Sequence, residues 1–329
     1  PVQPQGASVR LICKAENARR AVVREAATRP LSKAEAMMFA TRIVDVSPRR
    51  TPEMAQMAAN LLDTFAIAET AAPARVHEIY SFNARDEAAF AFIIPLYAKW
   101  HFVRYHLPVF QRLHALRPDL EVVYVVDDPA LRAPLRQWLD ANMTGYDFQV
   151  KVVELVLNSG YAKASNAGAR QARAPLLLFM NSDIHIRNIR DFCAIVKDLE
   201  QQAGYGQLGA AGFRLLFEDD TIQHDGITLA ASPEVGGLLL AEHPRKGLPQ
   251  AVLSQEGTVE VAAMPFVTGA LLALTRAAYD AAGGYPEQYY IGDFEDVDLC
   301  YRLTQAGYRN LLYRVSGIYH LERQSFTAQ

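Results

Sequence analysis

The sequence predicts an α/β protein built on a sheet of parallel strands and preceded by a helical segment. Three observations carry this reading. From "AAFAFIIPLY" (residues 88 to 97) onward, short apolar runs alternate with amphipathic stretches, the pattern of strands joined by crossover helices. The runs are continuously apolar and rich in β-branched residues, as expected of strands covered on both faces. A chain of 329 residues, 50% hydrophobic, can bury a large core. The composition changes near residue 86, so we expect an N-terminal helical extension over 1–86 and the α/β domain over 87–329.

Composition excludes several function classes. A formal net charge of −3 gives no basic field, so nucleic acid is not an expected partner. Cys13, Cys193 and Cys300 are an odd, widely spaced set without CxxC. They suit neither a disulfide framework nor a thiolate zinc site and fit a reducing compartment, with the cytoplasm as the expected location. No apolar run approaches the roughly 18 to 20 residues that span a bilayer, and the N-terminus lacks a signal-peptide core. The chain begins at Pro1 rather than Met, as a piece of something longer would; a membrane anchor or further domains remain open.

The elements follow in order. "SKAEAMMFATRIV" and "PEMAQMAANLLDTFAIAET" repeat apolar residues at helical spacing and predict two or three helices. "AFIIPLY" is the first strand, followed by a helix from near Trp100. "EVVYVVDDP" (121 to 129) contains a central strand over Val122 to Val126, too short and too β-branched for a core helix. Asp128 before Pro129 is an N-cap with proline in the first helical position. Asp127 is left at the carboxyl end of the strand, where open α/β sheets bind ligands. In "VKVVELVLNSGYAKASNAGARQARAPLLLFMNSD" (150 to 183) the order is strand, small-residue loop, helix from near Ala164, strand. The small residues allow close backbone approach, and the helix start offers N–H groups to an anion. Neither GxGxxG nor GxxxxGK[ST] is present.

Seven segments in series, "IIPLY", "VVDDP", "NSGYAKASNAGARQA", "LLLFMNSD", "VTGALLALTRAAYDAAGGYPE", "GDFEDVDLCYRLTQAGYR" and "YHLERQS", resemble the family-two glycosyltransferases of GT-A fold, many of them inverting and metal-dependent. The resemblance covers roughly residues 88 to 326 and leaves the N-terminal segment uncovered. It implies transfer of a sugar from a nucleoside-diphosphate sugar, UDP- or dTDP-linked by preference, to a hydroxyl of a glycan or lipid-linked glycan. The setting it suggests is bacterial surface polysaccharide synthesis, at or near the inner face of the membrane. A divalent cation, Mn²⁺ or Mg²⁺, is implied, since oxygen ligands suit both and imidazole suits Mn²⁺ better.

Residue by residue, the resemblance assigns Asp183 of "NSD", the last acid of a DxD-like motif, and the distant His320 to the metal. Asn181 stands where the fullest motif has another acid, which removes one charge from the site. Asp296 of the "ED" pair is implied as the base, with Glu295 orienting the acceptor or the loop. Pro95, Tyr97, Asp127, Asp128, Gly160, Lys163, Asn166, Asn181, Ser182 and Gly269 are implied around the donor, with Gly269 where a side chain would intrude. "TIQHDGI" (221 to 227) offers His224 and Asp225 as acceptor-side candidates. His185 reads as a surface or turn histidine.

The same residues also have plain helix and loop readings. Asp293 reads as an N-cap, Asp298 and Arg302 are spaced to pair across one turn, and Gly283 with Gly284 supply left-handed conformations after a helix stop. Tyr285, Tyr289 and Tyr290 fit acceptor stacking and loop packing equally. Two other classes stay open: a catalytically silent sugar-nucleotide or glycan-binding module, and a nucleotidyltransferase, although "IIPLYAKWHF" lacks the glycines that grip a triphosphate. Further domains or oligomer contacts through the N-terminal helices are compatible with each.

Overall fold

The computed structural model describes residues 73–232, 238–253, 259–287, 289 and 294–321. The two helical stretches expected within 32–44 and 52–70, and the readings of Asp293 and Tyr290, lie outside the described residues. The chain divides into two compact units, with the boundary between Ala72 and Pro73. The second unit is a layered α/β body.

Its strands are β1 (Val76–Phe82), β2 (Phe90–Leu96), β3 (Leu120–Val126), β4 (Gln149–Leu155), β5 (Leu176–Met180), β6 (Ile184–Ile186), β7 (Leu208–Phe213), β8 (Leu215–Leu216), β9 (Ile222–His224), β10 (Thr228–Ser232), β11 (Leu238–Glu242), β12 (Glu260–Ala263), β13 (Leu271–Thr275), β14 (Arg309–Arg314) and β15 (Ile318–His320). The principal helices are α1 (Val103–Leu116), α2 (Arg132–Asn142), α3 (Tyr161–Gln171), α4 (Ile189–Gly204), α5 (Arg276–Ala281) and α6 (Glu295–Gln305). Nine strands form one sheet in the order β1-β4-β3-β2-β5-β13-β7-β14-β12. Strands β4, β3, β2 and β5 run parallel, β13 is inserted antiparallel between β5 and β7, and β14 lies parallel to β7. The sheet is therefore mostly parallel, as expected, with β1, β13 and β12 reversed. Strand β1 joins this sheet from the N-terminal side of residue 87, so the sheet begins before the change in composition.

Alternation within the apolar runs decides which layer each residue fills. Phe90, Phe92, Ile94 and Leu96 of β2 pack with Phe110 of α1, Leu135 of α2 and Phe192 of α4, while Ala91 and Ile93 face Ala164 and Ala167 of α3 and Leu299 and Leu303 of α6. All four β2 residues on the first face are fully buried, each contributing about 1.5–3 kcal/mol relative to exposure. The alanine-rich face of α3 lets that helix lie close to the sheet. A methyl at Gly168 would come within 2.6 Å of Ile93 Cγ2 and 2.7 Å of Val125 Cγ2. Pro95 is tolerated in a central strand because the β2–β5 ladder ends at Ile93↔Phe179, so its missing N–H costs no rung there. Helix α3 begins at Tyr161 rather than near Ala164, directly after Gly160 with φ 84°. Among the described residues no helix is long and apolar enough to cross a membrane.

A second sheet, β6-β15-β8-β9, stands beside the carboxyl end of β5. The carboxyl ends of β2, β3, β4 and β5 share one edge with the amino end of β13. In an open α/β sheet that edge, where the strand order reverses from β2 to β5, is where ligands bind.

Candidate active site

Two acidic turns meet at this edge. The first follows β5. Asn181 N–H donates to Ala270 O at 2.8 Å and Ile184 N–H to Asn181 O at 3.2 Å, so the chain turns sharply and presents Asp183 before entering β6. Pairing of β6 with β15 sets His320 opposite Ile184. His320 Nε2 consequently lies 3.3 Å from Asp183 Oδ1, and Leu321 N–H donates to Asp183 O at 3.1 Å. Both side chains are buried. His320 Nδ1 is buried with no hydrogen-bond partner among the described residues. A carboxylate oxygen and an imidazole nitrogen at this separation suit neighbouring positions on one divalent ion, whose ligand bonds of about 2.1 Å leave adjacent ligand atoms about 3 Å apart. The pair therefore fits a cation. A second cluster of ligand-type side chains among the described residues, His77, Glu78 and Glu154, lies on the β1–β4 edge, where Arg136 approaches Glu78 at 2.8 Å and Glu154 at 4.0 Å.

The second turn precedes β13. Gly269 N–H donates to Asp296 Oδ2 at 2.8 Å, and Tyr161 Oη–H donates to Gly269 O at 2.8 Å. Asp296 is the second residue of α6 and its Oδ1 accepts from Val297 N–H at 2.8 Å, a first-turn position that favours the ionised carboxylate. A side chain at Gly269 would stand 3.4 Å from both Asp296 Cβ and Tyr285 Oη. Because β5 and β13 pair antiparallel through Leu271↔Met180, the residue after Gly269 is the one that receives the Asn181 amide. Two hydrogen bonds and a few backbone atoms thus connect the Asp296 turn to the Asp183 turn.

The other expected residues lie on or just after β2, β3 and β5 and at the start of α3. Asp127 is buried after β3 and accepts from Ser159 N–H at 2.6 Å and Gly160 N–H at 2.9 Å, tying the loop before α3 to the sheet edge. Asp128 caps the short helix Pro129–Leu131 through Ala130 N–H at 3.0 Å, as the sequence predicts. Tyr97 is 42% exposed at the end of β2, beside the half-buried Pro95. Lys163 is buried on the first turn of α3. Asn166 has its amide fully engaged, donating to Tyr285 O and Glu287 Oε1 and accepting from Tyr279 Oη–H and Tyr285 N–H. Those bonds fill its hydrogen-bonding capacity, so it fastens the "GGYPE" loop to α3. Ser182 contributes its carbonyl, 2.8 Å from His106 Nε2.

Several expectations change on this view. Asp225 accepts from Arg214 at 2.8 Å, Arg245 at 2.9 Å and Arg314 at 3.2 Å and is 1% exposed; it is a buried ion-pair centre, not an acceptor contact. Tyr285 is equally buried, with ring edges against Tyr161 and Phe179, so loop packing wins over acceptor stacking. Asp298 and Arg302 pair at 2.9 Å, and Gly283 and Gly284 have φ of 77° and 74°, both as read from the sequence. His185 is exposed, opposite Tyr319.

Two residues escaped the sequence reading. His106, on α1, donates from Nε2 to the Ser182 carbonyl and stacks on Tyr124 with ring centroids 6.0 Å apart. Burial lowers its pKa to about 4, against the opposing pull of the Ser182 carbonyl and Asp183, so the ring is neutral. Tyr161 opens α3, and burial with the nearby Glu295 charge raises its hydroxyl pKa; it remains a donor to Gly269. Neither carried a local signal beyond lying on an apolar helix face.

The fold and this junction define a class: α/β proteins that bring a buried acid–histidine pair and a helix-start acid together at the carboxyl edge of a mostly parallel sheet. Residues 91–203 match the model of Glycosyl transferase family 2. The chain is 28% identical over 232 residues to the uncharacterized protein y4gI of Sinorhizobium fredii, covering 67% of this chain and 24% of that protein. It is 30% identical over 215 residues to the O-antigen biosynthesis protein RfbC of Myxococcus xanthus, covering 63% of this chain and 15% of the relative. The chain thus spans a quarter or less of the length of these two relatives. Similar solved structures include GalNAc-T7 with UDP, GalNAc and Mn²⁺, at 17% identity and a TM-score of 0.48 over 72% of this chain and 44% of that one. Another is the mannosyltransferase PcManGT from Pyrobaculum calidifontis with GDP-Man and Mn²⁺, at 15% identity and a TM-score of 0.48 over 89% of this chain and 71% of that one.

Proposed function

We propose that this chain transfers a sugar, with inversion, from a nucleoside-diphosphate donor to a hydroxyl of a glycan or lipid-linked glycan. UDP- or dTDP-linked sugars are the favoured donors, and bacterial surface polysaccharide is the favoured product. The observation that carries the reading is the junction of Asp183 and Asp296 through Asn181, Ala270 and Gly269. A reaction that holds a diphosphate on one side of the anomeric carbon and removes a proton on the other needs two such groups at one edge.

Asp183 and His320 would hold a divalent cation, Mn²⁺ or Mg²⁺, which when bound supplies positive charge to the departing diphosphate. The loop tied by Asp127 and the α3 start at Gly160 and Lys163 would bring the positive dipole end of that helix to the donor. Pro95, Tyr97 and Asp128 line the neighbouring strand ends, and Asn181 and Ser182 border the acid turn. At the reacting centre the acceptor oxygen bonds to the anomeric carbon while the bond from that carbon to the diphosphate oxygen breaks. The proton of the acceptor hydroxyl passes to the Asp296 carboxylate. Glu295, buried beside it, shapes the acceptor side. Gly269 leaves room for the sugar next to Asp296.

The test is a panel of nucleotide sugars with Mn²⁺, following nucleoside diphosphate release by the wild type and by Asp296→Asn. Release from one donor, lost on substitution, is expected. Equal release by both proteins would remove Asp296 as the base, and no binding of any donor would remove the function.

A further inference from the structure

The segment "TIQHDG" takes no part in the reaction above, yet His224 at its centre is fully buried beside the site. The polarity of its ring is set by its neighbours. Nε2 faces the backbone N–H of Gly226 at 3.3 Å and of Thr268 at 3.4 Å, so it accepts and carries no proton. The proton sits on Nδ1, which donates to His243 Nδ1 at 3.4 Å. Burial keeps the ring neutral.

Thr268 is followed by Gly269, whose own N–H holds Asp296 Oδ2 at 2.8 Å. Two successive amides of one turn therefore point to two different side chains, one to the histidine and the next to the carboxylate. The antiparallel bridge Ile227↔Phe266, with Ile227 N–H donating to Phe266 O at 2.9 Å, keeps the two segments in register. We propose that His224 is a positioning residue: by accepting the Thr268 amide it fixes the turn whose next amide orients the Asp296 carboxylate toward the acceptor hydroxyl. The inference rests on Asp296 acting as the base. Without that acceptor the N–H groups of Gly226, buried, and Thr268, half-buried, lose their partner, a penalty the turn relieves by shifting. A displacement of about 1 Å at a reacting group is enough to lower turnover about 100-fold.

The variants His224→Gln and His224→Asn separate positioning from other roles. The glutamine carbonyl reaches the place of Nε2; that of asparagine stops one methylene short. Two readouts apply to both: hydrogen exchange of the 266–271 amides by mass spectrometry, and nucleoside diphosphate release at saturating UDP-sugar with Mn²⁺. We expect H224N to exchange faster over 266–271 and to turn over at least about tenfold more slowly with an unchanged donor KM. H224Q restores both values. In the Asp296→Asn background H224N adds no further loss, because both act on one step. Wild-type exchange and turnover in H224N would overturn the proposal, as would an H224Q variant as impaired as H224N. Unchanged release by Asp296→Asn alone would instead overturn the base assignment, and this inference with it.

Discussion

Asp183 and His320 meet across the β6–β15 strand pair, with Oδ1 of the acid 3.3 Å from Nε2 of the histidine. Two ligands with a shared ion respond alike to the loss of either. Asp183→Asn and His320→Ala are each expected to weaken Mn²⁺ binding by at least about 10- to 100-fold, the range already seen when only the supports of metal ligands are removed. Titration calorimetry with Mn²⁺ alone measures this without any substrate. Chelation should stop nucleoside diphosphate release, and Mn²⁺ affinity unaffected by both substitutions would separate this pair from the metal.

Asp296→Asn preserves shape and the Gly269 hydrogen bond while removing the basic oxygen. Turnover is expected to fall by about 10²- to 10⁴-fold, the usual contribution of a positioned base, with thermal unfolding little changed. A large fall in melting temperature would point to a structural role for the carboxylate.

His106 connects stability to pH. Its pKa in the folded chain is lowered from 6.5 to about 4, so the fold binds the proton less readily than the unfolded chain does. The stability from the neutral ring is complete above about pH 6.5 and is lost as pH falls through about 4. Over the whole window it amounts to about 3 kcal/mol. Urea unfolding at about pH 7.5 and about pH 4.5 should therefore show a smaller pH dependence in His106→Gln than in the wild type. Parallel curves would refute the assignment.

The Asp225 carboxylate is 1% exposed and accepts from three arginines, of which Arg214 is itself 1% exposed. Asp225→Asn removes the buried carboxylate charge that this guanidinium shares with two others, a defect that costs about 3–5 kcal/mol. Denaturant midpoints should report the loss; a change below about 1 kcal/mol, the scale of an exposed pair, would mean that the arginines find other partners.

Gly168→Ala tests the contact of α3 with the sheet. The added methyl would lie 2.6 Å from Ile93 Cγ2, and overpacking of this kind costs about 1–3 kcal/mol. Since α3 carries Gly160, Lys163 and Tyr161 to the site, activity should fall along with stability; unchanged stability would show that the helix recedes freely.

The layer structure was legible in the sequence because it is written in local composition. The apolar runs of β2, β3 and β5 could only be strands covered on both faces, and the Asp128–Pro129 cap and the Asp298–Arg302 pair follow from spacing alone. Segments whose assignment depended on context moved. Helix α3 starts at Tyr161 because Gly160 turns the chain there, and β1 belongs to the sheet through its pairing with β4, in a stretch whose composition resembles that of the residues before it.

The sequence by itself determined which residue types stand at the ends of the strands: an acid after β3, "NSD" after β5, a glycine before β13 and an acid pair at the start of α6. Tertiary structure alone decided how they are used. The antiparallel insertion of β13 beside β5 puts the Gly269 turn against the Asn181 turn, and the β6–β15 pairing carries His320 to Asp183. The same long-range packing gave Asp225 to three arginines, Asn166 to a loop, and His106 and His224 to backbone groups. Such partnerships depend on hydrogen-bond geometry between segments far apart in the chain, which neither periodicity nor local spacing encodes.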